Sequence, residues 1–144
     1  MASPEQGSNG IGSNYQGTSD ALTDGVRISI ISRYLPDRSN AMAREFLFTY
    51  RVTIANEGDE AVRLLTRRWV ITDALGHSEE VEGVGVVGET PVIAPGEEHT
   101  YDSYCPLRTE FGTMGGSYGM VRPDGETFRA TIADFRLAVP SAIN

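Results

Sequence analysis

A chain of 144 residues, 40% apolar and 22% charged, has material for one ordinary domain with a single core and too little for two. Its net charge of −8 opposes general attraction to nucleic acid or anionic membrane, which needs a surplus of basic groups facing phosphates. No uninterrupted apolar run approaches the roughly 18 residues of a membrane helix, and the opening MASPEQGSNG lacks the basic and apolar regions of a secretory signal, so a cytoplasmic protein is expected.

Residues 1–24 are rich in Gly, Ser, Asn and Gln and poor in apolar side chains, a composition that does not repay ordering, and they read as a flexible tail. From Val26 the pattern changes. Val26, Ile28 and Ile30 alternate with polar neighbours, LPDRSN breaks the run, and Phe46, Phe48, Tyr50, Val52 and Ile54 alternate again, the period of half-buried strands. ANEGDEA is a turn, after which Val62 and Leu64 open a segment running through Trp69 and Ile71. These two segments read as neighbours in one antiparallel sheet. Trp69 is expected inside, with Arg67 of the same face at the sheet margin. Further strands are expected at Glu79 to Val87, Glu98 to Cys105, Gly116 to Arg122 and Thr127 to Val139, the last two joined by a tight turn at Pro123-Asp124-Gly125. Seven or eight short strands without a helical period indicate an all-β domain, an antiparallel β-sandwich of immunoglobulin or fibronectin type III style over residues 25–144.

The segment Gly83-Val84-Gly85-Val86-Val87-Gly88 has the G-x-G-x-x-G spacing of dinucleotide-binding proteins, but Pro91 and Pro95 forbid the helix that would hold a diphosphate. Gly83, Gly85 and Gly88 then serve a bulge and a close strand approach, or form a small anion-binding nest with charge from Arg67 or Arg68. All twelve basic residues are arginine, which reflects either coding bias or selection for planar anion recognition.

A single cysteine, Cys105, and two histidines, His77 and His99, do not compose the usual zinc sets, and Cys105 reads as a packed thiol unless His99 approaches it as a base. Glu57, Asp59 and Glu60, and Glu79, Glu80 and Glu82, lack the spacing of a calcium loop and read as solvated acidic surface. Ser103, in YDSY, has no nucleophile-elbow pattern. The glycine-rich Gly112 to Tyr118 reads either as a loop presenting Met114 and Tyr118 to a partner or as a crossover in which both fill the core edge.

The blocks RRWVIT (Arg67 to Thr72), EVEGVGVVG (Glu80 to Gly88), PVIAPGE (Pro91 to Glu97), Tyr101 with Ser103, GTMG (Gly112 to Gly115), Tyr118 with Met120 and FRLAVP (Phe135 to Pro140), in this order and spacing, resemble the ApaG family, here of the stand-alone bacterial type. The likeness runs from about Val26 to the C-terminus, departing at Arg68, where an aromatic is common. It implies a fibronectin type III-like β-sandwich, also found appended to eukaryotic F-box and polymerase-interacting proteins, and hence a binding module. It also implies an indirect link to cobalt and magnesium tolerance. The expected function is non-enzymatic protein–protein interaction, without a cofactor, through a strand edge or through Arg67, Arg68, Gly83, Gly85, Gly88, Met114 and Tyr118. The alternative is a phosphate, diphosphate or nucleotide-diphosphate binder using the glycine-rich segment. Hydrolysis of phosphate anhydrides would need a metal and a base that the sequence does not mark, and homodimerisation through an edge strand stays open.

Overall fold

The alternating segments pair into two antiparallel sheets in the computed structural model, which describes residues 16–140. Nine strands are formed among them: β1 (Gln16–Thr23), β2 (Val26–Tyr34), β3 (Phe46–Asn56), β4 (Val62–Asp73), β5 (Ser78–Val84), β6 (Val92–Ile93), β7 (Glu98–Leu107), β8 (Phe111–Val121) and β9 (Thr127–Ala138). One sheet has the order β1-β2-β3-β7; the other is β5-β4-β8-β9, with β6 pairing β4 beyond the end of β5. The sandwich is as expected, with β1 and the two-residue β6 added to the strands read from the sequence.

Alternation explains the core. The even residues Val26, Ile28 and Ile30 and Phe46 to Ile54 all point inward and are buried. In β4 the inward set changes from the even Val62 and Leu64 to the odd Arg67, Trp69 and Ile71, because a bulge between Leu64 and Thr66 shifts the register by one. In β9 the buried set likewise changes from Ala130 and Ile132 to Phe135 and Leu137, where the β8–β9 register shifts between Met114 and Gly116. Trp69 meets Tyr50, Phe135 and Tyr118, the first at 5.4 Å between ring centroids, so it lies between the sheets as expected.

Three expectations are corrected. The tail does not extend to residue 24, since Gln16–Thr23 is a strand paired with β2; residues 1–15 lie outside the described residues. Backbone pairing outweighs a polar composition here because an edge strand can face solvent on one side. The segments Phe46 to Ile54 and Val62 to Ile71 are not sheet neighbours, because the ANEGDEA turn crosses between sheets. The buried Asn56 side chain fixes that crossing by donating to Glu60 O (2.7 Å) and Ile93 O (2.9 Å) while accepting from Gly58 N. Gly112 to Tyr118 is neither a loop nor a crossover but part of β8, while Met114 and Tyr118 fill the core, as the second of the two readings expected.

The two sides of the sandwich differ. On one, β1 lies along β9: Ser32 Oγ donates to Arg136 O (2.7 Å), Thr131 N donates to Thr23 Oγ1, and a Cβ on Gly17 would come within 1.9 Å of Arg136 O. That side is closed. On the other, the edges β5 and β7 stand apart and leave a cleft between the sheets.

Candidate functional site

The cleft between β5 and β7 has a volume of about 790 Å³. Its floor is formed by Tyr50, Trp69 and Met114, and its walls by Ile71 and Val81 on one side and Tyr101 to Pro106 on the other. Its mouth carries Val84 and Val87, both well exposed, an apolar rim that water does not favour.

Strand parity decides which charges enter. Arg67 shares the inward face of β4 with Trp69 and Ile71, and its guanidinium lies across Gly83, where a Cβ would meet Nη2 at 2.5 Å. From there Nη1 donates to Val84 O (3.0 Å) and Gly85 O (2.9 Å). Arg68, one residue on, faces outward and pairs with Glu80 (2.9 Å) and Glu82 (3.6 Å). The two arginines therefore cannot act on one ligand. Glu79 faces into the cleft with Arg67, and among the described residues neither belongs to an ion pair.

The glycine-rich segment turns the carbonyls of Val84 and Gly85 towards Arg67 while the N–H groups of Gly85, Val86 and Glu89 are engaged elsewhere. Gly85 N donates to Leu65 O, and Val86 and Glu89 bond each other in both directions, closing a two-residue turn. Gly85 and Gly88 have positive φ, and a Cβ on Gly85 would lie 2.2 Å from Glu89 O. The helix of a dinucleotide fold is replaced by this turn. Its central residues are Val87 (φ 47) and Gly88 (φ 79), a left-handed pair that normally selects Asn-Gly. A β-branched residue in this conformation costs about 1–2 kcal/mol, yet Val87 is 67% exposed and buries too little to offset the strain. Val87→Asn is accordingly expected to stabilise the domain by about 1 kcal/mol, measurable as a raised urea midpoint with an unchanged slope.

Nucleophilic chemistry finds poor conditions here. Burial, with the negative charge of Glu79 adding to it, pushes the Cys105 thiol up to about 12. His99 is on the same face of β7 but six residues away, about 20 Å along a strand, out of reach as a base. Tyr101 and Tyr118 share a hydrogen bond between their hydroxyls, and burial raises both above the usual tyrosine range. These groups remain protonated in the folded chain at pH values where the unfolded chain has released the proton. Stability is thus intact below the ordinary thiol value of about 8.5 and falls as pH rises towards 12. Urea unfolding at pH 7.5 and 9.5 should show this fall, with Cys105→Ala removing most of it, and iodoacetamide at pH 8 should label Cys105 only after unfolding.

Glu57 is paired with Arg27 (2.7 Å), and among the described residues no three His, Cys, Asp or Glu side chains converge as a metal site. Sequence reasoning missed the cleft itself, Glu79 as a second charge lining it besides Arg67, and Val87. Only the last left a local signal, as a valine before glycine in a short turn.

The family profile described as the ApaG domain matches residues 36–122, which include β3 to β8 and both edges of the cleft. The chain belongs to the ApaG family. It is 48% identical over 126 residues to Protein ApaG of Anaeromyxobacter dehalogenans, covering 88% of this chain and 99% of that one. To Protein ApaG of Pseudomonas fluorescens it is 49% identical, covering 83% and 94%. The solved structure of a Bordetella pertussis protein described as ApaA superposes with a TM-score of 0.78 at 42% identity, over 80% of this chain and 94% of that one. The ApaG domain match thus takes in the open side of the sandwich, while β1 and β9, which close the other, lie outside it.

Proposed function

We propose that this ApaG-family domain is a non-enzymatic binding module that takes a protein partner in the open cleft between β5 and β7. The observation that supports this is a cleft with an aromatic floor and an apolar rim, flanked by two strand edges unpaired among the described residues, in a fold whose opposite side is closed by its own β1. Unpaired edges and apolar mouths are what protein partners cover. A diphosphate ligand has less support, since the N–H groups of Gly85, Val86 and Glu89 are bonded and Arg68 faces away from the cleft, leaving Arg67 to meet two phosphates alone.

No helix among the described residues is long and apolar enough to cross a membrane. Any part in cobalt or magnesium tolerance is read as indirect, exerted through the partner, and the protein as cytoplasmic and without affinity for nucleic acid. Capture experiments with the folded chain test the reading. Val84→Asp and Val87→Asp should release partners that Arg68→Ala on the outer face retains; retention of every partner by both cleft variants would overturn it. A second copy bound edge to edge would appear as a concentration-dependent dimer in gel filtration.

A further inference from the structure

The free backbone groups of β7 can be counted. Asn56 N donates to Glu97 O, so that pair is hydrogen-bonded, and counting by twos along the β3–β7 register assigns the odd residues of β7 to β3. Glu98, Thr100, Asp102 and Tyr104 then point their N–H and C=O groups out of the sheet, beside the cleft. Pro106, which has no N–H to offer, ends this row.

The cleft is also polarised along the same direction. Arg67 lies against Gly83 of β5, and Glu79 lines the cleft four residues away along the same strand, with Tyr101 and Cys105 of β7 in the facing wall. From Gly83 to Glu79 and from Tyr101 to Cys105 the separation is four residues on both walls, about 13 Å. A positive and a negative group, neither in an ion pair among the described residues, therefore face one cleft at a spacing that one face of an extended chain reproduces as i and i+4.

We propose that the cleft receives an extended segment of a partner protein as an added strand on β7, presenting an acidic side chain to Arg67, a central apolar one to Trp69 and Val81, and a basic one to Glu79. This rests on the binding-module reading and supplies the chemistry of its ligand. The strained Val87 at the mouth fits it, since an exposed apolar side chain held against its backbone preference gains contact only when the cleft is filled.

The test uses synthetic capped peptides in which Lys and Glu flank Thr-Val-Thr, made in both orders, with a control carrying Lys at both ends. Trp69, the one tryptophan of the chain, reports from the cleft floor by fluorescence, and amide shifts at Thr100 to Tyr104 report on the edge. One of the two orders should give saturable changes in both, and which one it is gives the strand direction. The doubly basic peptide should bind about tenfold more weakly. Arg67→Glu should reverse that preference, and Glu79→Lys, at an exposed position where folding is safe, should weaken the Lys/Glu peptide comparably. Val87→Asn should weaken binding although it stabilises the fold.

Equal binding of all peptides to every variant would overturn the proposal. So would an absence of any change at Trp69 with all of them. If the cleft-mouth variants still release captured partners in that case, the module reading survives and only this ligand assignment falls. If they do not, both fall.

Discussion

Replacing Trp69 by alanine is expected to cost about 3–5 kcal/mol, the range for truncating a large buried aromatic. Trp69 is 4% exposed and is the hub of an aromatic cluster, with Tyr50 and Phe135 at centroid distances of 5.4 and 6.0 Å from it and Tyr118 at 6.2 Å, all three edge-on. These contacts join β3 of one sheet to β4, β8 and β9 of the other. The void cannot collapse without drawing the sheets together, and because the open cleft lies directly above, water would enter it. Urea unfolding followed by circular dichroism checks the loss. Trp69→Phe should recover more than half of it, and an Ala variant as stable as the parent would mean that the sheets are held together elsewhere.

Gly116→Val is expected to be as damaging for the opposite reason. A Cβ at this position would lie 1.9 Å from Arg68 O and 3.1 Å from the Cα of Trp69, both backbone-bound atoms of the paired strand β4. β8 is hydrogen-bonded on both sides, to β4 and β9, so it cannot swing away as an edge strand would. Overpacking of this kind costs about 3 kcal/mol or more when the neighbour is backbone. The measurement is the fraction of soluble folded protein and its urea midpoint. Gly125→Ala is a useful contrast: nothing lies within 4 Å of a Cβ there, so only the positive φ of 91° is strained and the loss should be nearer 1 kcal/mol.

These two substitutions also show how much of the molecule could be read beforehand. Period-two alternation located β2, β3, β4, β7 and β9 closely, and the Pro123-Asp124-Gly125 turn is found where expected, closed by Gly125 N to Arg122 O at 2.9 Å. It placed Trp69 and Arg67 on one inner face, which the structure bears out, although the parity change that permits this depends on a bulge at Leu65. What alternation could not register was β1, whose side chains are mostly polar because it is an edge. Nor could it place Gly112 to Gly115 in a strand, since glycines there look like a loop. In fact they are the residues small enough for close approach, with Asp134 over Gly115 and Thr72 O beside Gly112.

The candidate site was less legible than the fold. Arg67, Gly83, Gly85 and Gly88 do come together, but as an arginine bridging carbonyls rather than a nest of N–H groups. Arg68 is turned to the opposite face, and Met114 and Tyr118 serve the interior, Met114 as part of the cleft floor.

By itself the sequence determined the fold class, the inner face of each regular strand and membership of the ApaG family, because these depend on local periodicity and on ordered motifs. Only the tertiary structure decided which sheet each strand joins, that β1 seals one side while β5 and β7 leave the other open, and that Arg67 and Glu79 face one cleft. Those features arise from pairing between residues distant in the chain, and a period-two pattern specifies which face is buried without specifying which neighbour buries it.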